Sequence, residues 1–227
     1  MTDRICSESK DYIVAYKPSG IPSVPLKAKA GGTFLDSIAL LYPEVLSVHG
    51  KNYWEGSAIH RLDTPTRGLI IFARNQESYD WLTSEQRDNK IIKKYRAVFS
   101  SSRAIDDGFE PFPYGDIIRK GGIISSFFRS FGKGSKSVRP VLTNPRFQKG
   151  NIYSTELFPE SNNSVICTLS MGFRHQIRAH LAWAGHPLIG DSLYGGDICN
   201  TFGLEAIEIS FYSKDGKEIV VSALSCT

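Results

Sequence analysis

The chain lacks most of what would make a protein secreted, membrane-spanning or metal-held. Its four cysteines, Cys6, Cys167, Cys199 and Cys226, are scattered and form no CxxC pair. That spacing argues against a zinc site and against a disulfide framework. The opening stretch, MTDRICSESKDYIVAY, has no apolar signal-peptide core. No apolar run approaches the ~20 residues a membrane helix needs. There is no linker, repeat or low-complexity tract. These absences lead us to expect a reducing cytoplasm and no membrane, with a monomer as the default state.

With 227 residues, 41% of them hydrophobic, the chain is long enough to bury roughly 70–75% of its unfolded surface without staples. The net charge is only +4, but the charge is uneven. Between Arg119 and Lys149 stand Arg119, Lys120, Arg129, Lys133, Lys136, Arg139, Arg146 and Lys149, with no acid among them. Eight cations exceed the net charge of the whole chain, so the remainder is net acidic. A basic stripe on a near-neutral body fits a polyanionic partner, although a solvated loop would look the same.

The pattern predicts one α+β domain over 1–227, with a mixed, mainly antiparallel sheet, flanking helices and a basic insertion at about 119–149. Asp11–Tyr16 reads as a strand stopped by the turn Lys17-Pro18-Ser19-Gly20. Thr33 and Asp36 form a capping-box pattern opening a helix from Phe34 to about Tyr42. Ala58–Leu62 and Leu69–Ala73 read as strands around the turn Thr64–Gly68. Asn75 caps a helix over about 76–87, and Ile91–Phe99 alternates as a strand. Residues 100–150 look irregular, with short strands and a hairpin or two. Two strands flank Ser161-Asn162-Asn163, a helix runs from about Phe173 to Ala184, and a hairpin over 206–222 closes the pattern.

Two charged clusters interrupt this regularity. In IHRLDTPTRGLIIFARN, His60, Arg61, Asp63 and Arg67 crowd one turn between apolar runs. In MGFRHQIRAHLAWAGHPLIGDSLYGG, Arg174 and Arg178 are four apart and would share a helical face beside Ile177 and Leu181. His175, His180 and His186 lack metal-ligand spacing, so no metal is expected. Asp191 and Tyr194 read as turn and packing residues.

Taken together these motifs resemble the RluA family of RNA pseudouridine synthases. HRLD precedes an apolar strand, Lys93-Lys94-Tyr95-Arg96-Ala97 matches K-x-Y-x-A, and HQIRAHL is followed by GHPLIGDSLYG. DYIVAYKPSG resembles the family's opening strand and turn, and GLEAIEISF its closing strand. The resemblance spans about Asp11 to Val221. It implies the pseudouridine synthase catalytic fold, an RNA partner (ribosomal or transfer RNA) and no cofactor. In the implied reaction the N1–C1′ bond of a uridine breaks, the base rotates, and it rejoins through C5. By resemblance Asp63 is the catalytic aspartate, which must be ionised to act. Arg178 is its pairing cation, and Tyr95 stacks on the target base and accepts the C5 proton. Arg61 helps hold the RNA open when the base leaves, which costs a few kcal/mol of stacking. His60 reads more simply as a ring fixing the loop.

The chain departs from the family in three ways. Arg67 replaces a small residue of HRLDxxTSG. Phe173 occupies the usual arginine position, and Arg174 lies one residue later, about 100° around a helix. The catalytic pattern starts by residue 11, so no S4-type RNA-binding domain is expected within the chain. RNA contacts would then come from Arg67, which could replace the charge missing at 173, from Arg174, and from the stripe, Lys133 and Lys136 above all. Phe127, Phe128 and Phe131 in that stripe would either stack on bases or form a local core. Two rivals stand beside the enzyme: a catalytically inactive RNA-binding or assembly protein of the same fold, and a glycosidase. The latter usually needs a second carboxylate, and none lies near either motif.

Overall fold

The computed structural model describes residues 4–28, 31–100, 108–143 and 150–226. They form two compact units, Met1–Lys93 with Glu205–Thr227, and Lys94–Leu204. The strands in chain order are β1 (Arg4–Glu8), β2 (Tyr12–Lys17), β3 (Arg67–Ala73), β4 (Ile92–Val98), β5 (Gly122–Phe131), β6 (Ser137–Val141), β7 (Tyr153–Ser161), β8 (Ser164–Leu169), β9 (Leu204–Tyr212) and β10 (Glu218–Ser222). The helices are α1 (Phe34–Leu41), α2 (Gln76–Arg87), the one-turn α3 (Ile117–Lys120) and α4 (Gln176–Trp183). The class is α+β with mostly antiparallel strands, as the pattern predicts.

The first unit is built on the order β1-β2-β3-β9-β10. Ile13, Val14 and Ala15 of β2 are wholly buried, which is why DYIVAY reads as a continuous apolar run rather than an alternating one. The parallel pairing of β3 with β9 sets Gly68 opposite Ala206. Gly68 has φ +120°, and a Cβ there would lie 2.3 Å from the Ala206 carbonyl oxygen. Only glycine lets the two strands approach so closely. Both helix starts follow the sequence: the Thr33 hydroxyl accepts from the Asp36 amide while the Asp36 carboxylate accepts from the Thr33 amide. Asn75 accepts from the Ser78 amide at 2.9 Å.

Two expectations need correction in this unit. Ala58–Leu62 is not a strand. Ala58 makes an isolated bridge to Phe72 and the Ile59 amide reaches Ile71. Beyond Ile59 the chain leaves the sheet, and both main-chain groups of Leu62 bond instead to the Ser23 hydroxyl. The cysteine spacing, read as speaking against a secreted disulfide framework, also hid one bridge: Cys6 and Cys226 form a disulfide 220 residues apart in sequence. Linear spacing carried no trace of it. β1, which the pattern missed, places Cys6 at a register shift between Ile5 and Ser7. Both cysteines pack on the core cluster that includes Tyr12, Leu69 and Phe211.

The second unit runs β4-β8-β7-β5-β6. The 100–150 segment is more regular than expected: β5 is ten residues long and pairs with both β7 and β6. Arg146 and Lys149 of the stripe lie outside the described residues. α4 is shorter than predicted and wholly buried. It begins at Gln176 because His175 sits in the left-handed region at φ 58°. Arg174 therefore precedes the helix and shares no helical face with Arg178. His180 anchors α4: Nε2 meets the Ser126 hydroxyl and Nδ1 the Thr155 hydroxyl, each at 2.9 Å. Burial pushes its pKa down to about 3. Phe128 stacks on Phe173 at 4.8 Å and on His180 at 5.0 Å, so Phe128 belongs to a local core rather than to a base-stacking surface.

Two outcomes are expected. A reductant, or Cys226→Ser, should lower the unfolding free energy by about 2–4 kcal/mol, and Cys6→Ser/Cys226→Ser should be no worse than either single variant in denaturant titrations. The second concerns pH. An unfolded histidine takes up its proton near pH 6.5, whereas folded His180 stays neutral down to about pH 3. Stability should therefore fall as pH drops through that window. The slope should be shallower in His180→Asn by about one proton.

Candidate active site

The loop carrying Asp63 is fastened by the segment that precedes it in the first unit. Lys17 is fully buried, and its ammonium donates to the carbonyls of Pro18 (2.8 Å), Ile21 (2.8 Å) and Thr64 (3.2 Å). The Gly20 amide also donates to Thr64, and the Ser19 hydroxyl to Pro65 at 2.6 Å. Leu62 is held through Ser23. The Thr66 amide closes the turn onto the Asp63 carbonyl at 3.0 Å. Main-chain groups of residues 62, 63, 64 and 65 are thus all engaged, and the partly exposed Asp63 carboxylate is presented from a fixed backbone.

Burial pulls the Lys17 pKa down to about 8, and the nearby negative charge of Asp63 opposes the fall. The ammonium remains protonated at neutral pH, as its three acceptors require, and it is a cation in electrostatic reach of Asp63. The sequence reading passed over it because KPSG looked like a plain turn. A fully buried lysine costs several kcal/mol unless its three donors are satisfied; KPSGIPS supplies two of the acceptors and Thr64 the third.

The other charges on this loop have partners within the same unit. Arg61, 58% exposed at its side chain, is steered by Glu55 at 2.8 Å. Arg67 donates to Glu205 at 2.9 Å, and Glu205 also accepts from the Tyr16 hydroxyl at 2.7 Å. The charge of Arg67, which the sequence offers as a replacement RNA contact, is thus matched by a carboxylate on β9. The His60 Nε2 accepts from the Ile71 amide at 3.3 Å. Burial, with Lys93 adding to it, depresses the His60 pKa to about 3, so the ring is neutral and ties the loop to β3.

In the second unit Arg178 is nearly buried and makes a two-pronged pair with Asp191, Nε to Oδ2 at 2.7 Å and Nη2 to Oδ1 at 2.8 Å. Asp191 is more than a turn residue: it fixes the plane of the guanidinium. The Arg178 guanidinium lies 5.2 Å from the Tyr194 ring. The Tyr194 hydroxyl accepts from the Val138 amide at 3.0 Å and meets His175 Nδ1 at 3.1 Å. Arg174 donates to the carbonyls of Ser135 (2.7 Å) and Ser137 (3.2 Å), bracing the turn between β5 and β6. Tyr95 lies on the buried side of β4 with Lys93 and Ala97. Lys133 and Lys136 are exposed on the β5–β6 turn. Among the described residues no cluster of His, Cys, Asp or Glu could hold a metal, and no helix is long and apolar enough to cross a membrane.

Comparison with known proteins identifies the class. Residues 11–183 match the family model described as RNA pseudouridylate synthase, and the chain belongs to that family. It is 26% identical over 192 residues to ribosomal large subunit pseudouridine synthase D of Buchnera aphidicola subsp. Acyrthosiphon pisum, covering 85% of this chain and 54% of the relative. It is 28% identical over 198 residues to the protein of the same name from Haemophilus influenzae, covering 85% and 52%. The chain spans about half the length of these curated relatives. Among solved structures, human RNA pseudouridylate synthase domain containing 1 shares the fold, with a TM-score of 0.69 at 16% identity, covering 98% of this chain and 83% of that one.

If the buried ammonium fastens the loop, Lys17→Met should cost about 2–3 kcal/mol of stability by leaving carbonyls without a donor. Amide hydrogen exchange should accelerate at Gly20 and Thr66 before it does in β2 or β3.

Proposed function

We propose that the chain is an RNA pseudouridine synthase that isomerises uridines in ribosomal RNA, with transfer RNA as the second substrate class to test. The observation that carries this reading is the Asp63 carboxylate, set on a loop immobilised by Lys17, Ser19, Gly20 and Ser23 in a chain of this family. The names of the large-subunit relatives favour ribosomal RNA.

Asp63 acts as an anion on the ribose or base of a flipped uridine while the N1–C1′ bond breaks. The base then turns and rejoins through C5, which gives up its proton while N1 takes one up, so that no net proton is released. No external nucleophile or oxidant is consumed, since substrate and product are isomers. A loop locked before substrate arrives suits this chemistry, because the carboxylate needs no reorganisation as the bond breaks. Arg178, oriented by Asp191, supplies a rigid cation for the reaction centre. Tyr95 offers a ring to the base and a hydroxyl to the departing C5 proton. Arg61, steered by Glu55, supports the opened RNA, while Lys133 and Lys136 contact phosphate. Arg174 contributes by shaping the turn that carries those lysines. The bacterial relatives support a cytoplasmic location, and there the Cys6–Cys226 pair would be held reduced.

The departures at 67 and 173 do not favour a protein that only binds. Arg67 has a partner in Glu205 and Phe173 stacks on Phe128, so both have local structural reasons.

To test the reading, RNA from a host lacking this gene is incubated with wild-type protein or with Asp63→Asn, and pseudouridines are mapped by chemical labelling and reverse-transcription stops. New stops with wild type alone are expected. RNA bound by wild type without new stops would overturn it, and free uracil or abasic sites would indicate glycosidase chemistry instead.

A further inference from the structure

Within the second unit the turn between β5 and β6 overhangs a cavity of about 660 Å³, lined by Phe131, Lys133, Lys136, Ser137, Arg139 and Leu193 together with Gly132 and Gly134. Three of those side chains are cationic and none is acidic. Neither Lys133 nor Lys136 has a carboxylate partner among the described residues. The wall is rigid. Arg139 is 5% exposed, clamped between the rings of Phe109 and Phe131 at 4.2 and 4.3 Å. Arg174 fixes the turn from below through the Ser135 and Ser137 carbonyls. A cationic rim over an apolar floor, of a volume typical of small-molecule sites, is more than a phosphate on a duplex would use. A duplex phosphate needs only a surface lysine, whereas an unstacked nucleotide offers both an anion and a flat apolar face.

We propose that this cavity is a nucleotide subsite built from second-unit residues alone, additional to the role proposed for Asp63. It takes one unstacked nucleotide of the RNA, with the phosphate on Lys133 and Lys136 and the base against Leu193 and the Arg139–Phe131 wall. The proposal rests on the RNA reading above. The wall offers aromatic and aliphatic surface but few groups that could read a base edge, so the site tolerates any base. It is also joined to the Arg178 region. Leu193 is two residues from Asp191, and the Tyr194 ring has the Arg139 guanidinium at 5.6 Å and that of Arg178 at 5.2 Å. A nucleotide seated here touches the same short turn that orients Arg178.

The test titrates isotope-labelled full-length protein with uridine 5′-monophosphate, adenosine 5′-monophosphate, uridine and inorganic phosphate, following the amides of Gly132, Gly134, Lys136 and Leu193. Both monophosphates should shift these amides saturably, with affinities within about threefold of one another and at least tenfold tighter than uridine or phosphate. Lys133→Glu/Lys136→Glu should lose at least tenfold in that affinity, and Leu193→Asp should abolish the advantage over phosphate, with melting temperatures unchanged. Phosphate binding as tightly as the monophosphates, or no response at the turn, would overturn the subsite. Pseudouridine formation is scored separately, so loss of the subsite would leave the catalytic reading standing, and the reverse would also hold.

Discussion

A single buried ammonium organises the part of the first unit that carries Asp63. Lys17 ends β2 and points its charge into a cage of three carbonyls, two from its own turn and one from Thr64. Remove the charge, and the segments 17–23 and 62–66 lose the group that makes their backbones converge. The arrangement resolves two problems together. A lysine taken out of water needs acceptors, and a loop too short to form a strand needs somewhere to send its carbonyls. Asp63 inherits a fixed backbone from that exchange, and a positive charge nearby.

The two units use different means to the same end. In the first, hydrogen bonds to the main chain fasten the loop, and side-chain pairs such as Arg61–Glu55 and Arg67–Glu205 steer its charges. In the second, buried side chains do the fastening. His180 bonds to Ser126 and Thr155, Gln176 donates to Thr155 and the Ser154 carbonyl, and Asp191 holds Arg178. Such networks favour a unique packing because every member is satisfied only in one arrangement. They also explain why α4 tolerates a glutamine, an arginine and a histidine on faces wholly removed from water.

What could be read from the sequence follows from the range of the forces involved. Helix starts at Thr33 and Asn75, the alternation of β4 and the buried run of β2 are local effects, and local pattern reveals them. The family motifs likewise single out Asp63, Tyr95 and Arg178 as the residues proposed for the chemistry. The Arg67–Glu205 pair, the Asp191 clamp and the Cys6–Cys226 bridge join residues that only tertiary structure brings together. The first and last pair residues 138 and 220 positions apart, and Asp191, although in the same stretch as Arg178, lies 13 residues on, beyond the reach of helical periodicity. α4 was misjudged for another reason. GFRHQ has no residue that forbids helix, and the start at Gln176 is set by His175 in a left-handed conformation, with the Gln176 side chain accepting from the Phe173 amide at 2.9 Å.

The first unit is assembled from both ends of the chain, and this bears on synthesis. β3 emerges from the ribosome long before β9, its parallel neighbour, since Arg67 and Glu205 are 138 positions apart. At translation speeds of roughly 5–20 residues per second that gap is about 7–28 s. During that interval the strand after the Asp63 loop has one sheet partner, β2, and an unfilled edge. The second unit, continuous from Lys94 to Leu204, can complete its contacts first. A nascent chain would thus carry a finished basic β5–β6 hairpin before the sheet flanking the Asp63 loop was complete, so the two charged regions become ordered at different times.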